Sequence, residues 1–188
     1  MKYEEYKNSR DAAWKILRDQ NISSLPVPVV KICRNLGIVV KFNDELSDKI
    51  NSGQCTIIDG QPFIFIAPDC PPQRRRFTIA HELGHILLGH VGQSDLINRE
   101  PSPMDSPIEQ AANVFASRLL APVCVLWGCG VQTAEEISKL CDISKTAAEY
   151  RFKRYQVLLK RDRFLSSPLE RQVFDNFRPF IQEHRASR

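Results

Sequence analysis

Apolar residues recur at helical spacing from the start of the chain: Tyr6, Ala13, Trp14, Ile16 and Leu17 predict an amphipathic helix over 3–19. Ser23-Ser24-Leu25-Pro26-Val27-Pro28 breaks that pattern, and a short helix follows through Val29, Val30, Ile32, Cys33 and Leu36, stopped by Gly37. The β-branched run Ile38-Val39-Val40-Lys41-Phe42 predicts a strand. After a polar connection over 43–53, Cys55–Ile58 and Phe63–Ile66 flank Asp59-Gly60, a hairpin signal. Gln61 and Pro62 are expected to lengthen the return, with Pro62 marking an edge strand. These runs together predict a small, mostly antiparallel sheet.

Pro71-Pro72 open the next helix, where missing amide donors cost least. It is apolar almost all round, through Phe77, Ile79, Ala80, Leu83, Ile86, Leu87 and Leu88, so it belongs in a core. Gly89 and Gly92 end it, and a polar, proline-bearing segment over 92–107 is long enough to line a cleft or act as a flap. A helix is expected from Pro107 to Leu120, with Ile108, Ala112, Phe115 and Leu119 on its stripe. Thr133–Leu140 reads as a short helix and Cys141-Asp142-Ile143 as a turn. Ser144 caps a longer helix to about Lys160, the cadence of a helix-turn-helix. Ser167-Pro168-Leu169-Glu170 is a capping box opening a last helix that Arg178-Pro179 kinks. The fold class is therefore α+β, with a catalytic-type domain expected over 1–125 and a helical C-terminal region over 126–188 packed on it.

Composition narrows this little. Apolar residues make up 43% and charged residues 26% of 188 positions, as in an ordinary soluble protein. No apolar run is expected to reach the length of a membrane span and the N-terminus lacks a signal-peptide core, which predicts a cytoplasmic protein without membrane partners. Cys33, Cys55, Cys70 and Cys141 read as buried or incidental thiols, and Cys124 and Cys129 lack the spacing of a zinc knuckle. Residues 145–188 hold 11 basic and 5 acidic side chains, whereas residues 1–144 hold 15 and 17. That basic segment suits an acidic partner or nucleic acid or, as is usual, a solvated surface.

The chemistry gathers in Arg76-Phe77-Thr78-Ile79-Ala80-His81-Glu82-Leu83-Gly84-His85. In this H-E-x-x-H pattern, residues four apart share a helix face, so His81 and His85 can present two imidazole nitrogens to one metal ion. Glu82, one step round the helix, is placed to take a proton from an attacking water. His90 fits no three-histidine pattern, which would need glycine at Leu88 and histidine at Val91. On a continued helix it points about 180° away from His81, so it reads as a helix-end or supporting residue. Arg74-Arg75-Arg76 read as exposed charges, or as a partner for a core acid or a substrate.

A catalytic zinc usually takes three protein ligands and keeps one position open. Asp95, Glu100, Asp105 and Glu109 are available downstream, and only Glu109 lies on a helix. Asn113, one turn on, can hold a ligand histidine's free N–H. Yet Ser106-Pro107-Ile108-Glu109 is also a capping box, and spacing alone leaves Glu109 balanced between ligand and cap.

The first block, followed by Glu109-Gln110-Ala111-Ala112-Asn113-Val114-Phe115-Ala116 and Leu119-Leu120-Ala121-Pro122, resembles the ImmA/IrrE metallo-endopeptidases. Their pattern is R-F-T-x-A-H-E-x-G-H, then E-x-x-A-N-x-F-A-x-x-L-L-x-P, and the likeness covers roughly residues 10–160. The resemblance implies a zincin-like core of gluzincin type and Zn2+ on His81, His85 and Glu109, with Glu82 as catalytic base. It also implies a regulatory protease that cleaves a helix-turn-helix (XRE-like) repressor, relieving repression in mobile elements or stress responses. The alternative is a non-proteolytic zinc-containing regulator, or a toxin–antitoxin component, that binds a partner repressor or DNA. Tyr150, His90 and His184 are candidates for stabilising an oxyanion. Neither the scissile bond nor the oligomeric state can be read from the sequence.

Overall fold

The computed structural model describes residues 2–47, 52–91 and 106–187. The chain divides into two compact units, one formed by residues 1–12 and 28–116, the other by 13–27 and 117–188. Helices α1 (Tyr3–Asp19) and α4 (Pro107–Leu120) each begin in the first unit and end in the second.

The first unit is built on a three-stranded sheet of β1 (Val39–Phe42), β2 (Gly53–Ile58) and β3 (Gln61–Ile66) in the order β1-β3-β2. Strand β2 pairs antiparallel with β3, Ile58 opposite Gln61, across a two-residue turn in which Asp59 and Gly60 both have positive φ. Gln61 thus belongs to the ladder and does not lengthen the loop. Strand β1 pairs parallel with β3, Val39 opposite Phe63, so the sheet is mixed rather than mostly antiparallel. The reason lies in burial: β3 carries the buried Ile64 and Ile66 and takes the centre, while β1 and β2 flank it. Pro62 therefore sits in a central strand, not an edge one. It precedes the first parallel pair, so the residue without an N–H lies ahead of that ladder.

Helix α2 (Val29–Asn35) precedes β1, and α3 (Pro72–Leu87) follows β3 and packs on the sheet. Helix α3 begins with Pro at its first turn, as expected, and buries every residue from Thr78 to His85. Arg75 is partly buried, donating from Nη2 to the Cys70 carbonyl at 3.0 Å with its guanidinium over the Phe42 ring, so one member of the arginine triplet is structural.

The second unit is helical. Helix α5 (Val123–Gly128), not anticipated from the sequence, is followed by α6 (Ala134–Cys141), α7 (Lys145–Lys160), α8 (Pro168–Asn176) and α9 (Arg178–Ala186). Thr133 and Ser144 cap α6 and α7, and Asp142 between them adopts a left-handed conformation. Trp127 stacks on Phe164 and tilts against Phe174. Arg151, counted in sequence among the basic surface residues, is buried and donates from Nε to the Ala121 carbonyl at 2.6 Å. Ser167 caps α8, while Glu170 reaches back to the Ser166 N–H at 2.9 Å.

Pro107–Gly128 is long and apolar enough by composition to cross a membrane, which corrects the expectation that no run approaches that length. Its apolar window is 72% buried inside the protein, which is how core helices behave.

Candidate metal centre

Helix α3 delivers His81, Glu82 and His85 because its apolar faces hold it against the sheet, burying all three to 1% exposure or less. Opposite lies the first part of α4, whose approach depends on Gly84. A Cβ at that position would meet the Phe115 ring and Cβ at 3.0–3.2 Å, closer than ordinary packing. With no side chain there, Phe115 packs directly on α3, and Glu109 and Asn113, four apart on α4, face the histidines.

Glu109 Oε2 lies 3.2 Å from His81 Nε2 and Oε1 lies 3.4 Å from His85 Nε2. One ligand atom from each of His81, His85 and Glu109 falls within 4.8 Å of the others, the one such group among the described residues. Asp95, Glu100 and Asp105, the other acids weighed as ligands, lie outside the described residues, as does most of the expected cleft or flap over 92–107. Ser106 still caps α4, accepting from the Glu109 N–H at 3.3 Å. Glu109 thus takes part in the cap through its backbone while its carboxylate turns to the histidines.

The outer nitrogens of the two rings are engaged. His81 Nδ1 lies 2.9 Å from Asn113 Oδ1, and His85 Nδ1 lies 3.1 Å from His90 Nδ1. A carbonyl oxygen only accepts, so Asn113 keeps the proton on His81 Nδ1 and leaves Nε2 of the neutral ring as a lone pair. That lone pair faces His85 Nε2 at 2.9 Å and the Glu109 carboxylate. Two ring nitrogens and a carboxylate so close repel unless a proton or a metal cation lies among them. The donor set, two imidazoles and one carboxylate, is one that zinc takes in catalytic sites. The residues present fit the metal.

Electrostatics point the same way. Burial alone would lower the His81 pKa, but the hydrogen bond to Glu109 and the charges of Glu82 and Glu109 outweigh it, and the net shift is upward. Burial would raise Glu109, yet the hydrogen bonds from His81 and His85 carry it down to about 2. His90 is lowered, first by burial and then by its neighbour His85. His90 is outside the three-residue group and meets it through His85, because α3 ends at Leu87 and does not continue to turn His90 away as expected. Tyr150 and His184 belong to the other compact unit.

One residue at this site escaped the sequence reading. Burial raises the Cys55 thiol, and the charge of Glu82 and a side-chain hydrogen bond to it raise it further. The signal was the period of two along β2, which puts Gly53 and Cys55 on one face.

A buried helix and the helix facing it thus present two histidines and a glutamate beside a small mixed sheet, a group that could hold a metal ion. The sequence model of the IrrE N-terminal-like domain, a peptidase family, matches residues 33–153, and the chain belongs to this ImmA/IrrE family. It is 33% identical over 98 residues to the radiation response metalloprotease IrrE of Deinococcus deserti, covering 46% of this chain and 34% of that protein. The IrrE of Deinococcus radiodurans is 32% identical over 98 residues, with 46% and 29% covered. The chain thus spans about a third of the length of these curated relatives. Among solved structures, a Mycobacterium tuberculosis transcriptional regulator shares the fold with a TM-score of 0.52 at 17% identity, over 79% of this chain and 48% of that one.

Proposed function

We propose that this chain is a zinc-dependent endopeptidase of regulatory type, with a gluzincin-like site in a zincin-like core. His81, His85 and Glu109 hold the metal and Glu82 is the general base. The observation that carries the reading is the convergence of His81 Nε2, His85 Nε2 and the Glu109 carboxylate beside a buried Glu82. A bound zinc supplies Lewis acidity, polarising a peptide carbonyl and acidifying water. The chain's own part is proton transfer and orientation. Glu82 takes a proton from the attacking water and passes it to the departing amine nitrogen. Asn113 and His90 hold the two rings by their outer nitrogens.

The substrate of this reading is a cytoplasmic helix-turn-helix repressor, whose cleavage relieves repression. A second reading rests on α6 and α7. Asp142 and the Ser144 cap join them as in a helix-turn-helix, and Lys145, Thr146, Tyr150 and Lys153 are exposed on α7. Such a pair can bind DNA or a partner without cleaving it.

The test is to incubate the zinc-loaded protein with a repressor encoded beside its gene and map fragments by mass spectrometry. Glu82→Gln is expected to retain stoichiometric zinc and to lose cleavage by about a hundredfold or more. Equal cleavage by variant and parent defeats the mechanism. A salt-dependent gel shift with promoter DNA that survives Glu82→Gln, without fragments, favours the second reading.

A further inference from the structure

We propose that Cys55 is a positioning residue for Glu82: its thiol donates a hydrogen bond that holds the carboxylate in the orientation proton transfer requires. The inference rests on the proposed role of Glu82 as base, and it begins from how β2 lies along α3. The Ser52 and Thr78 hydroxyls are 3.2 Å apart, and a Cβ at Gly53 would fall 2.4 Å from Thr78 Cγ2. Strand and helix are therefore in close contact there. Two residues along a strand advance about 6.6 Å, and four along a helix advance about 6 Å. Stepping from Gly53 to Cys55 and from Thr78 to Glu82 thus keeps the same two faces opposed. This register carries the Cys55 thiol towards the Glu82 carboxylate, and the upward shift of the thiol, which Glu82 reinforces after burial, agrees with that placement.

A buried glutamate has three side-chain torsions to fix, and a base must present one particular oxygen to the water it deprotonates. The S–H group is a weak donor, directional enough to select an orientation. Cys55 sits on β2, an outer strand of the sheet, so its position is set by backbone pairing with β3, where Cys55 faces Ile64. The half-buried Cys55 is thus placed by the sheet.

Two measurements test this. The S–H stretching band of Cys55, isolated as the infrared difference between the metal-free parent and Cys55→Ala, is expected at a hydrogen-bonded frequency. It is expected to shift when the same difference is taken in a Glu82→Gln background. The second measurement uses the zinc-loaded proteins and fluorescein-labelled casein. Cys55→Ala is expected to lower kcat about tenfold, the size of one weak hydrogen bond, with zinc content and KM unchanged. Cys55→Ser, which keeps a donor, restores most of it. A band indifferent to Glu82→Gln overturns the proposal. So does a Cys55→Ala enzyme as fast as the parent, or a serine variant as slow as the alanine one. Failure of the parent itself to cut casein or any repressor would count against the proteolytic reading instead, and the infrared result would still decide the hydrogen bond.

Discussion

Glu109 joins two roles at the residue scale. Its backbone N–H sits in the Ser106 cap while its carboxylate pairs with His81 and His85. In the metal-free protein this pairing makes stability depend on pH from both sides. The folded-state pKa of Glu109 is depressed to about 2, so its contribution is present above the ordinary carboxylate value of 4.5 and fades as pH falls towards 2. The His81 pKa is raised from 6.5, so its contribution is full below 6.5 and is lost as pH rises through the folded value. Chelated protein is therefore expected to melt highest between about pH 4.5 and 6.5 and to lose a few degrees towards pH 9. Glu109→Gln should flatten that profile. A melting profile unchanged by the substitution would show that the pair adds nothing to the metal-free fold.

At the scale of elements, the site is a matter of how closely α4 and β2 approach α3. H-E-x-x-H sets two candidate ligands on one face by helix geometry alone, and those positions were legible in the sequence. Spacing left Glu109 balanced between cap and ligand, because the two share one spacing, and only the family resemblance pointed to the ligand. The direction of its carboxylate depends on a neighbouring helix and not on local sequence. Gly84 sets that neighbour's distance, since a Cβ there would press on Phe115. Gly84→Ala is expected to destabilise the protein by about 1–3 kcal/mol through overpacking, and to reduce bound zinc as α4 is displaced. Phe115→Leu in the same chain should recover part of both. Thermal melts with metal analysis check this, and full zinc occupancy in Gly84→Ala would show that α4 does not set the site. Cys55 is the parallel case on the sheet side. It read as an incidental thiol because the strand's register on α3 is invisible in sequence. The sheet itself was misjudged for a similar reason: β1 and β2 are neighbours in the chain, but the apolar β3 lies between them.

For the whole molecule, metal and fold should be linked. A ligand at a hundred times its Kd stabilises a native state by about 2.7 kcal/mol, which for a chain of this size is a rise of about 5–10 °C in Tm. Zinc removal is expected to lower Tm by that amount. Loss of amide exchange protection should centre on α3 and the first turns of α4, with α6 to α9 little changed. These helices belong to the unit of residues 13–27 and 117–188, which carries none of the three candidate ligands. Uniform loss of protection along the chain would instead mean that the two units unfold as one.

What the sequence determined by itself is whatever depends on neighbours in the chain. The period of 3.6 and the caps marked most helices, Asp59-Gly60 marked the hairpin, and a spacing of four set His81 and His85 on one face. The two family blocks named the lineage. Tertiary structure decided what depends on distant parts meeting: the parallel pairing of β1 with β3, the burial of Arg151 against Ala121, the aim of the Glu109 carboxylate and the placing of Cys55 at Glu82. The physical reason is common to all four. Each requires two segments to pack at close range, and the glycines and apolar surfaces that permit such contact identify their partners only once the chain has folded.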